Sequence, residues 1–398
     1  MIRKVCLVLA AVGLSHILCA DVQITDVKAT PISPWAVIID YNVNGDLSGY
    51  NDYCYVTFSL IASNIVTQQS FMARKGTVKG DIQLSLGKHR IRWDFPEDEV
   101  RMDFSDVKME IKYEILFPYC IVDLSEGRNA ESYPVTYLSS IPSGKWDDEY
   151  KKNKIVLRLI EPGTFIMGDD FSDELNPPHQ VVLTDFFYIG VFEVTENQYS
   201  LVNYSKENGM IPKVNTSWNA LRGGNWPQPS YCSKFSFIGT LQSKTGIKFD
   251  LPTEAQWEYA CRAGTRTAYN YGDKESTLYM WWHDNSDWEV QIVGTKRSNA
   301  WGLYDMHGNA QEWCLDWYGS LREAINPKGA ETGDYRVLRG GGAYHGKSMN
   351  SYSSGELCTS SARSRCLPGG EETTDDNGFR IVRTLEGKYT EIVRGVMR

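Results

Sequence analysis

The stretch NAWGLYDMHGNAQEWCLDWY, residues Asn299 to Tyr318, is the most informative part of the sequence for the fold. Two acidic residues, Asp305 and Glu312, flank a short segment that contains Gly308. Calcium prefers six to eight oxygen ligands that combine carboxylates with backbone carbonyls, and a glycine-containing turn lets carbonyls point toward one centre. A tight turn with two solvated acids explains the same residues equally well, so this segment alone leaves both interpretations open.

Two helix starts precede this stretch. In EVTENQYSLV, Gln198 follows Thr195 by three residues, and in LPTEAQWEYACRAG, Gln256 follows Thr253 by three residues. A threonine with a glutamine three positions later is a capping box, so the pattern predicts a helix after each threonine. Gly264 is predicted to end the second helix.

Six motifs in a fixed order resemble the formylglycine-generating enzyme family, also called sulfatase-modifying factors. They are PGTFIMG (162–168), FFYIGVFEVTENQY (186–199), LPTEAQWEYACRAG (251–264), NAWGLYDMHGNAQEWCLDWY (299–318), RVLRGGGAY (336–344) and NGFRIVR (377–383). One motif alone is weak evidence, whereas six in order are specific. The resemblance implies an α+β fold of low regular structure, a variant of the C-type lectin fold, over residues 154–384. A short tail, residues 385–398, is predicted to follow this domain.

The resemblance also implies calcium binding. A first site of the family matches four positions that supply a side-chain oxygen, two backbone carbonyls and an acidic side chain: Asp305, Gly308, Ala310 and Glu312. A second site of the family begins at positions that match Asn285 and Ser286. The loop that follows them is short, so the remaining ligands of the second site are not identified.

The oxidases of this family hold a copper ion between two cysteine thiolates five residues apart. Counted from RGGGAY, the matching positions fall near Gly346 and Ser351, and the sequence has no cysteine between Gly340 and Leu357. Soft thiolates are the ligands that select Cu(I). The sequence therefore predicts no copper site of that kind and no formylglycine generation by that mechanism.

Two classes of function remain open. The first is a non-catalytic module that binds a peptide, a glycan or a protein through the loop AYHGKSMNSYSS, residues 343–354. Its predicted binding residues are Tyr344, His345, Ser351 and Tyr352, because such side chains combine stacking with adaptable hydrogen bonds. The second is an oxidoreductase with formylglycine-generating or other metal-dependent chemistry on a protein or small-molecule substrate. Fold alone does not decide between them.

Several other residues receive structural interpretations. His179 is predicted to enter a strand, and Arg380 is predicted to be a buried fork to carboxylates or carbonyls. His283, His307 and His345 lack the close spacing of metal ligands, so no histidine metal site is predicted from them.

The first third of the mature chain has a different pattern. Residues 21–120 contain short runs rich in β-branched and aromatic residues, and VKMEIKYEI (107–115) alternates apolar and polar positions. This pattern predicts an all-β sandwich of immunoglobulin type. Its role is predicted to be spacing, docking or carbohydrate contact, with spacing favoured. Residues 121–153 are polar and are predicted to form a linker.

Residues 1–20 read as a signal peptide, with basic Arg3 and Lys4 before an apolar run that is too short to span a bilayer. We therefore expect an exported protein without a membrane span. Cleavage after Ala20 leaves 39 basic residues (41 minus 2) and 50 acidic residues, a net charge of −11 that argues against nucleic-acid binding. Export permits disulfides, and Cys358 is predicted to pair with Cys261 or Cys366.

Overall fold

A computed structural model describes most of the chain. The described residues are 23–33, 36–45, 55–64, 70–72, 78–80, 86–94, 107–170, 177–228, 230–343, 355–370, 376–386 and 391–394. The predicted signal peptide lies outside them. The chain divides into an N-terminal unit, residues 1–118, 137–140 and 387–398, and a C-terminal unit, residues 119–136 and 141–386. In the described residues, no helix is long and apolar enough to cross a membrane.

The N-terminal unit is built from antiparallel strands, as the sequence pattern predicts. One sheet has the order β1-β2-β6-β5, and in the other β20, β4 and β7 all pair with β3. The strands are β1 (Gln23–Ser33), β2 (Ala36–Asn44), β3 (Tyr55–Asn64), β4 (Ser70–Met72), β5 (Val78–Gly80), β6 (Gly87–Asp94), β7 (Val107–Leu116) and β20 (Glu391–Arg394). Val37, Ile39, Tyr41 and Val43 are buried at every second position of β2, which is the period of a strand with one apolar face. The immunoglobulin-type arrangement of the two sheets stays a prediction.

Strand pairing crosses two of the predicted boundaries. Residues 391–394 of the predicted tail form β20, which pairs antiparallel with Tyr55–Phe58 of β3 and belongs to the N-terminal unit. Residues 119–123 of the strand region and the predicted linker form β8, which pairs with residues 154–158 in the C-terminal unit. In both segments, the backbone N–H and C=O groups pair with strands that are distant in sequence, and local composition does not reveal such pairing.

The C-terminal unit combines small sheets with short helices. Its sheets have the orders β19-β13-β10-β8-β9, β11-β12-β15 and β17-β16-β14-β18. The first two sheets use β8 (Tyr119–Asp123), β9 (Val135–Leu138), β10 (Lys154–Ile160), β11 (Gly163–Met167), β12 (His179–Leu183), β13 (Phe187–Gly190), β15 (Ala324–Ile325) and β19 (Val382–Thr384). The third uses β14 (Gln311–Trp317), β16 (Arg336–Arg339), β17 (Arg363–Cys366) and β18 (Asn377–Gly378). The helices are α1 (Glu149–Lys152), α2 (Glu196–Val202), α3 (Trp218–Leu221), α4 (Phe237–Thr245) and α5 (Glu254–Arg262).

Both predicted capping boxes are confirmed. The Thr195 and Thr253 side chains accept hydrogen bonds from the backbone N–H groups of Gln198 and Gln256. Each glutamine side-chain oxygen in turn accepts a hydrogen bond from the backbone N–H of its threonine. Helix α5 ends at Arg262, two residues before Gly264. All nine residues of α5 are buried, so this helix lies inside the unit.

Candidate functional site

The segment 306–310 forms a base for the loop that the sequence analysis assigns to binding. The Gly308 N–H donates to the Gly340 carbonyl oxygen at 2.8 Å, and the Ala343 N–H donates to the Asn309 carbonyl oxygen at 2.8 Å. The Asn309 N–H donates in turn to the Trp281 carbonyl oxygen at 2.8 Å. Backbone bonds therefore fix the chain up to Ala343, where the loop begins.

Two glycines are required where this base meets its neighbours. Gly341 has φ of +63°, and a Cβ atom there would lie 2.6 Å from Cys358 Sγ. A Cβ atom on Gly342 would collide with the carboxylate of the buried Asp376. The Gly-Gly of RGGGAY thus reflects close packing at the entrance to the loop.

The far end of the loop is fixed by His307 and Tyr269. The Tyr269 hydroxyl donates to the Gly355 carbonyl oxygen at 2.8 Å. His307 Nε2 accepts from the Asn270 N–H at 3.1 Å, so the proton is on Nδ1, which donates to the Cys358 carbonyl oxygen at 2.7 Å. Burial lowers the pKa of His307 to about 4, which keeps the ring neutral. His307 therefore has a structural role.

Aromatic rings form the floor beneath this end. The Tyr271 ring stacks on Tyr269 at 5.2 Å and on Tyr279 at 4.3 Å between centroids. Tyr269 also belongs to a buried cluster with Met280, Trp282 and Cys358. Both ends of the loop are thus held by contacts that do not depend on the identity of residues 344–354.

Three buried carboxylates lie behind the base and face one guanidinium. The side chains of Glu193, Asp305 and Glu312 interact electrostatically with one another and with Arg380. Burial raises the pKa of Asp305 to about 6, and burial together with the Asp305 charge raises that of Glu193 well above its usual value. The excess of acid in a low-dielectric interior would be relieved by a bound cation or by protonation.

The four charged side chains have different partners. Glu312 accepts from Trp257 Nε1 at 2.8 Å and from Arg380 Nε and Nη2, both at 2.6 Å. Arg380 also donates to the carbonyl oxygens of Gly190 and Tyr304, which confirms the predicted buried fork. Asp305 Oδ2 accepts from the Gly294 N–H at 2.6 Å, while Oδ1 is buried without a hydrogen bond in the described structure.

Glu193 was not identified from the sequence. Its carboxylate accepts from Asn309 Nδ2 at 2.7 Å and from the Ala310 N–H at 2.9 Å, so it holds the turn that carries the predicted calcium ligands. The available signal was an acid between the apolar residues Phe192 and Val194, next to a helix start. Burial of a carboxylate in such a setting is costly unless hydrogen-bond donors satisfy its oxygens.

Calcium binding stays a prediction. The described residues contain no group of three or more His, Cys, Asp or Glu side chains arranged to hold a metal ion. The predicted first site draws on two carbonyls and two acids, and of these acids Asp305 retains a buried carboxylate oxygen that lacks a donor. Glu312 is engaged by Arg380 and Trp257, so its part in the predicted site is the weaker one.

The residues of the predicted second site make local contacts. Asn285 Oδ1 accepts from the Trp282 N–H at 3.0 Å, and the Ser286 carbonyl oxygen accepts from the Glu289 N–H and from Gln291 Nε2. The Ser286 hydroxyl lies 3.5 Å from the Ala343 carbonyl oxygen. These contacts place Ser286 beside the start of the loop.

The predicted binding residues Tyr344, His345, Ser351 and Tyr352 lie outside the described residues. His179 begins β12, and its Nδ1 lies 2.7 Å from the Pro177 carbonyl oxygen.

The predicted disulfide is wrong for the described cysteines. No disulfide joins Cys261, Cys358 or Cys366 to any other described cysteine. Cys261 packs in the cluster around α5, Cys358 lies among the rings beneath the loop, and Cys366 is buried on β17. Burial raises the pKa of Cys261 to about 12 and raises that of Cys358 as well, so both remain protonated thiols.

Comparison with known proteins identifies the C-terminal unit. Residues 147–385 match the family model of the Sulfatase-modifying factor enzyme 1-like domain. The Bos taurus formylglycine-generating enzyme is 27% identical over 56% of this chain and 72% of its own length. The Chlamydia caviae serine/threonine-protein kinase pkn1 is 32% identical over 46% of this chain, but the match spans only 32% of that protein.

Two solved structures also match part of this chain. Treponema denticola variable protein 1 matches 58% of this chain and 95% of its own, with 25% identity and a TM-score of 0.46. PvdO from Pseudomonas aeruginosa matches 58% of this chain and 94% of its own, with 21% identity and a TM-score of 0.45. Because the family model covers more than half of the 398 residues, the chain belongs to the family of the Sulfatase-modifying factor enzyme 1-like domain.

Proposed function

We propose that this protein is a non-catalytic, exported binding module that presents residues 344–354 to a peptide, glycan or protein. The observation that carries the proposal is the lack of any cysteine between Gly340 and Leu357, in a loop whose start is fixed by backbone contacts and whose end is fixed by Tyr269 and His307. The N-terminal unit serves as a spacer or docking domain.

Thiol chemistry has little support from the cysteines nearest to the loop. Copper-dependent oxidation in this family needs two accessible thiolates, whereas Cys261 and Cys358 are buried and carry raised pKa values. Cys358 is packed against the position of Gly341 and offers its backbone carbonyl to His307. These residues are used as structural parts of the loop base.

Calcium is proposed as a stabilising ion of this module. Asp305 Oδ1 supplies a buried oxygen without a donor, and the surrounding acids outnumber the single guanidinium of Arg380. Asp305 would hold the ion together with the backbone of Gly308 and Ala310, with Glu312 contributing if its contact to Arg380 loosens. Calcium would supply charge neutralisation for a turn that is otherwise rich in buried acid.

The direct test uses a cysteine-containing peptide of the sulfatase type, supplied with copper and reductant. We expect mass spectrometry to find no aldehyde above background, while the Streptomyces coelicolor formylglycine-generating enzyme in the same assay converts the peptide. Aldehyde formed by this protein would overturn the proposal. Metal analysis of the purified protein separates the oxidoreductase alternative, which requires stoichiometric copper or iron.

A further inference from the structure

A second candidate site lies in the C-terminal unit, in a cleft that the proposed loop function does not use. The cleft has a volume of about 440 Å³, within the range of small-molecule sites. We call it the Tyr204 cleft. The residues that line it include Tyr199, Tyr204, Glu207, Lys213, Asn215 and Ser217.

The charged groups of the Tyr204 cleft compensate each other. Lys213 Nζ lies 2.7 Å from Glu207 Oε2, and the Ser205 hydroxyl donates to the same carboxylate oxygen at 3.0 Å. The side chain of Glu207 remains 43% exposed, so its acceptor sites are accessible from the cleft. A paired cation and carboxylate offer a donor and an acceptor side by side without a net charge.

Two tyrosine rings line the same cleft. Tyr204 is 77% exposed, and Arg128 lies over its ring at 4.8 Å from the centroid. An arginine on one face restrains the ring and leaves the other face for a ligand. Tyr199 is held in place by stacking on Phe237 at 5.3 Å with an interplanar angle of 5°.

The remaining wall is held by backbone contacts. The Lys213 N–H donates to the Val194 carbonyl oxygen at 2.8 Å, and the Ser217 hydroxyl accepts from the Ala220 N–H at the start of α3. Asn215 between them has φ of +52°. The polar groups are thus presented on a preformed surface, which lowers the cost of binding.

We propose that the Tyr204 cleft binds a neutral pyranose saccharide. Adjacent hydroxyls of a pyranose can donate to Glu207 and accept from Lys213, while the apolar face of the ring packs on Tyr204. An apolar ligand would displace water from the exposed part of Glu207 without replacing its hydrogen bonds, which is costly. An anionic ligand would be repelled by the Glu207 carboxylate and would compete with it for Lys213, which is already paired.

Isothermal titration calorimetry of the purified full chain tests this proposal with maltose, cellobiose, diacetylchitobiose and glucuronic acid. We expect at least one neutral disaccharide to bind more tightly than glucuronic acid. Tyr204→Ala and Glu207→Gln should each weaken that binding by about tenfold, the effect of one lost hydrogen bond or stacking contact. Tyr231→Ala is the matched control, because Tyr231 is 59% exposed and does not line the cleft.

The outcomes separate this site from the loop. A variant with residues 344–354 replaced by a glycine-serine segment of equal length should keep its saccharide affinity. Loss of binding in that variant, with no effect of Tyr204→Ala, would overturn the cleft and leave the loop proposal standing. No binding by any of the three neutral disaccharides at millimolar concentration, or preference for glucuronic acid, would also overturn it.

Discussion

Replacing Arg380 with methionine should destabilise the C-terminal unit more than any surface substitution. The guanidinium is fully buried and donates to both oxygens of Glu312 and to the carbonyl oxygens of Gly190 and Tyr304. Methionine fills much of the same volume but donates no hydrogen bond. It also removes the buried guanidinium that interacts with Glu193, Asp305 and Glu312.

The size of the effect follows from these contacts. Removing one partner of a buried ion pair costs about 3–5 kcal/mol, because the other charge stays buried without compensation. The loss of donors to the buried Gly190 carbonyl and the partly buried Tyr304 carbonyl adds to this cost, so we expect about 5 kcal/mol or more for Arg380→Met. At about 2–4 °C per kcal/mol for a unit of this size, the melting temperature should fall by about 10–20 °C.

Thermal unfolding followed by tryptophan fluorescence measures this effect. Lys248→Met is the matched control, because Lys248 and Glu386 are 3.7 Å apart with side chains 74% and 68% exposed. It should cost less than about 1 kcal/mol. The double variant Arg380→Met with Glu312→Met should lose less than the sum of its single variants, because an apolar pair can replace a buried ion pair. The reasoning is refuted if Arg380→Met costs no more than Lys248→Met, or if the two changes are additive.

Three further predictions use other parts of the unit. Chelation of calcium should lower the melting temperature, because calcium at a hundredfold excess over its Kd adds about 2.7 kcal/mol to the free energy of unfolding. Asp305→Asn should abolish this response, and an unchanged melting temperature on chelation counts against calcium binding. Burial raises the pKa of Asp316 to about 7, so its contribution to stability is complete below its unfolded pKa and is lost as pH rises through 7. In urea unfolding, Asp316→Asn should therefore reduce the difference in unfolding free energy between pH 5.5 and pH 8 by about 2 kcal/mol. An unaltered difference contradicts the raised pKa. Gly341→Ala should destabilise the protein by at least 2 kcal/mol more than Gly246→Ala. Both glycines have positive φ (+63° and +69°), but only at Gly341 would the added Cβ atom meet close neighbours. Equal costs would show that this crowding is unimportant.

Local signals predicted part of the fold. The capping boxes at Thr195 and Thr253 are contained within four residues, so they could be identified without knowledge of the tertiary structure. The buried fork of Arg380 in NGFR is also predicted, because a planar guanidinium suits bidentate contacts to carboxylates or carbonyls.

Nonlocal pairing could not be predicted in the same way. The β20 residues 391–394 pair with residues more than 300 positions earlier in the chain, and nothing in EIVR specifies β3 as its partner. Glu193 was missed for the same reason, since its donors come from Asn309 and Ala310, distant in sequence. Such contacts depend on which elements meet, and periodicity reports only which face of an element is apolar.

On the proposed function, the contacts of the base explain how the fold could lose an oxidase site and remain folded. The contacts that fix Gly340, Ala343, Gly355 and Cys358 are made by backbone groups, His307 and Tyr269, so none requires a cysteine within residues 344–354. The buried acids and Arg380 lie behind this base and stabilise it independently of the loop sequence. Copper chemistry, in contrast, requires two thiolates at fixed positions. If the proposed function is correct, a substitution that removed the thiolates would have abolished the reaction at little cost in stability, and the loop side chains could then be selected for binding alone.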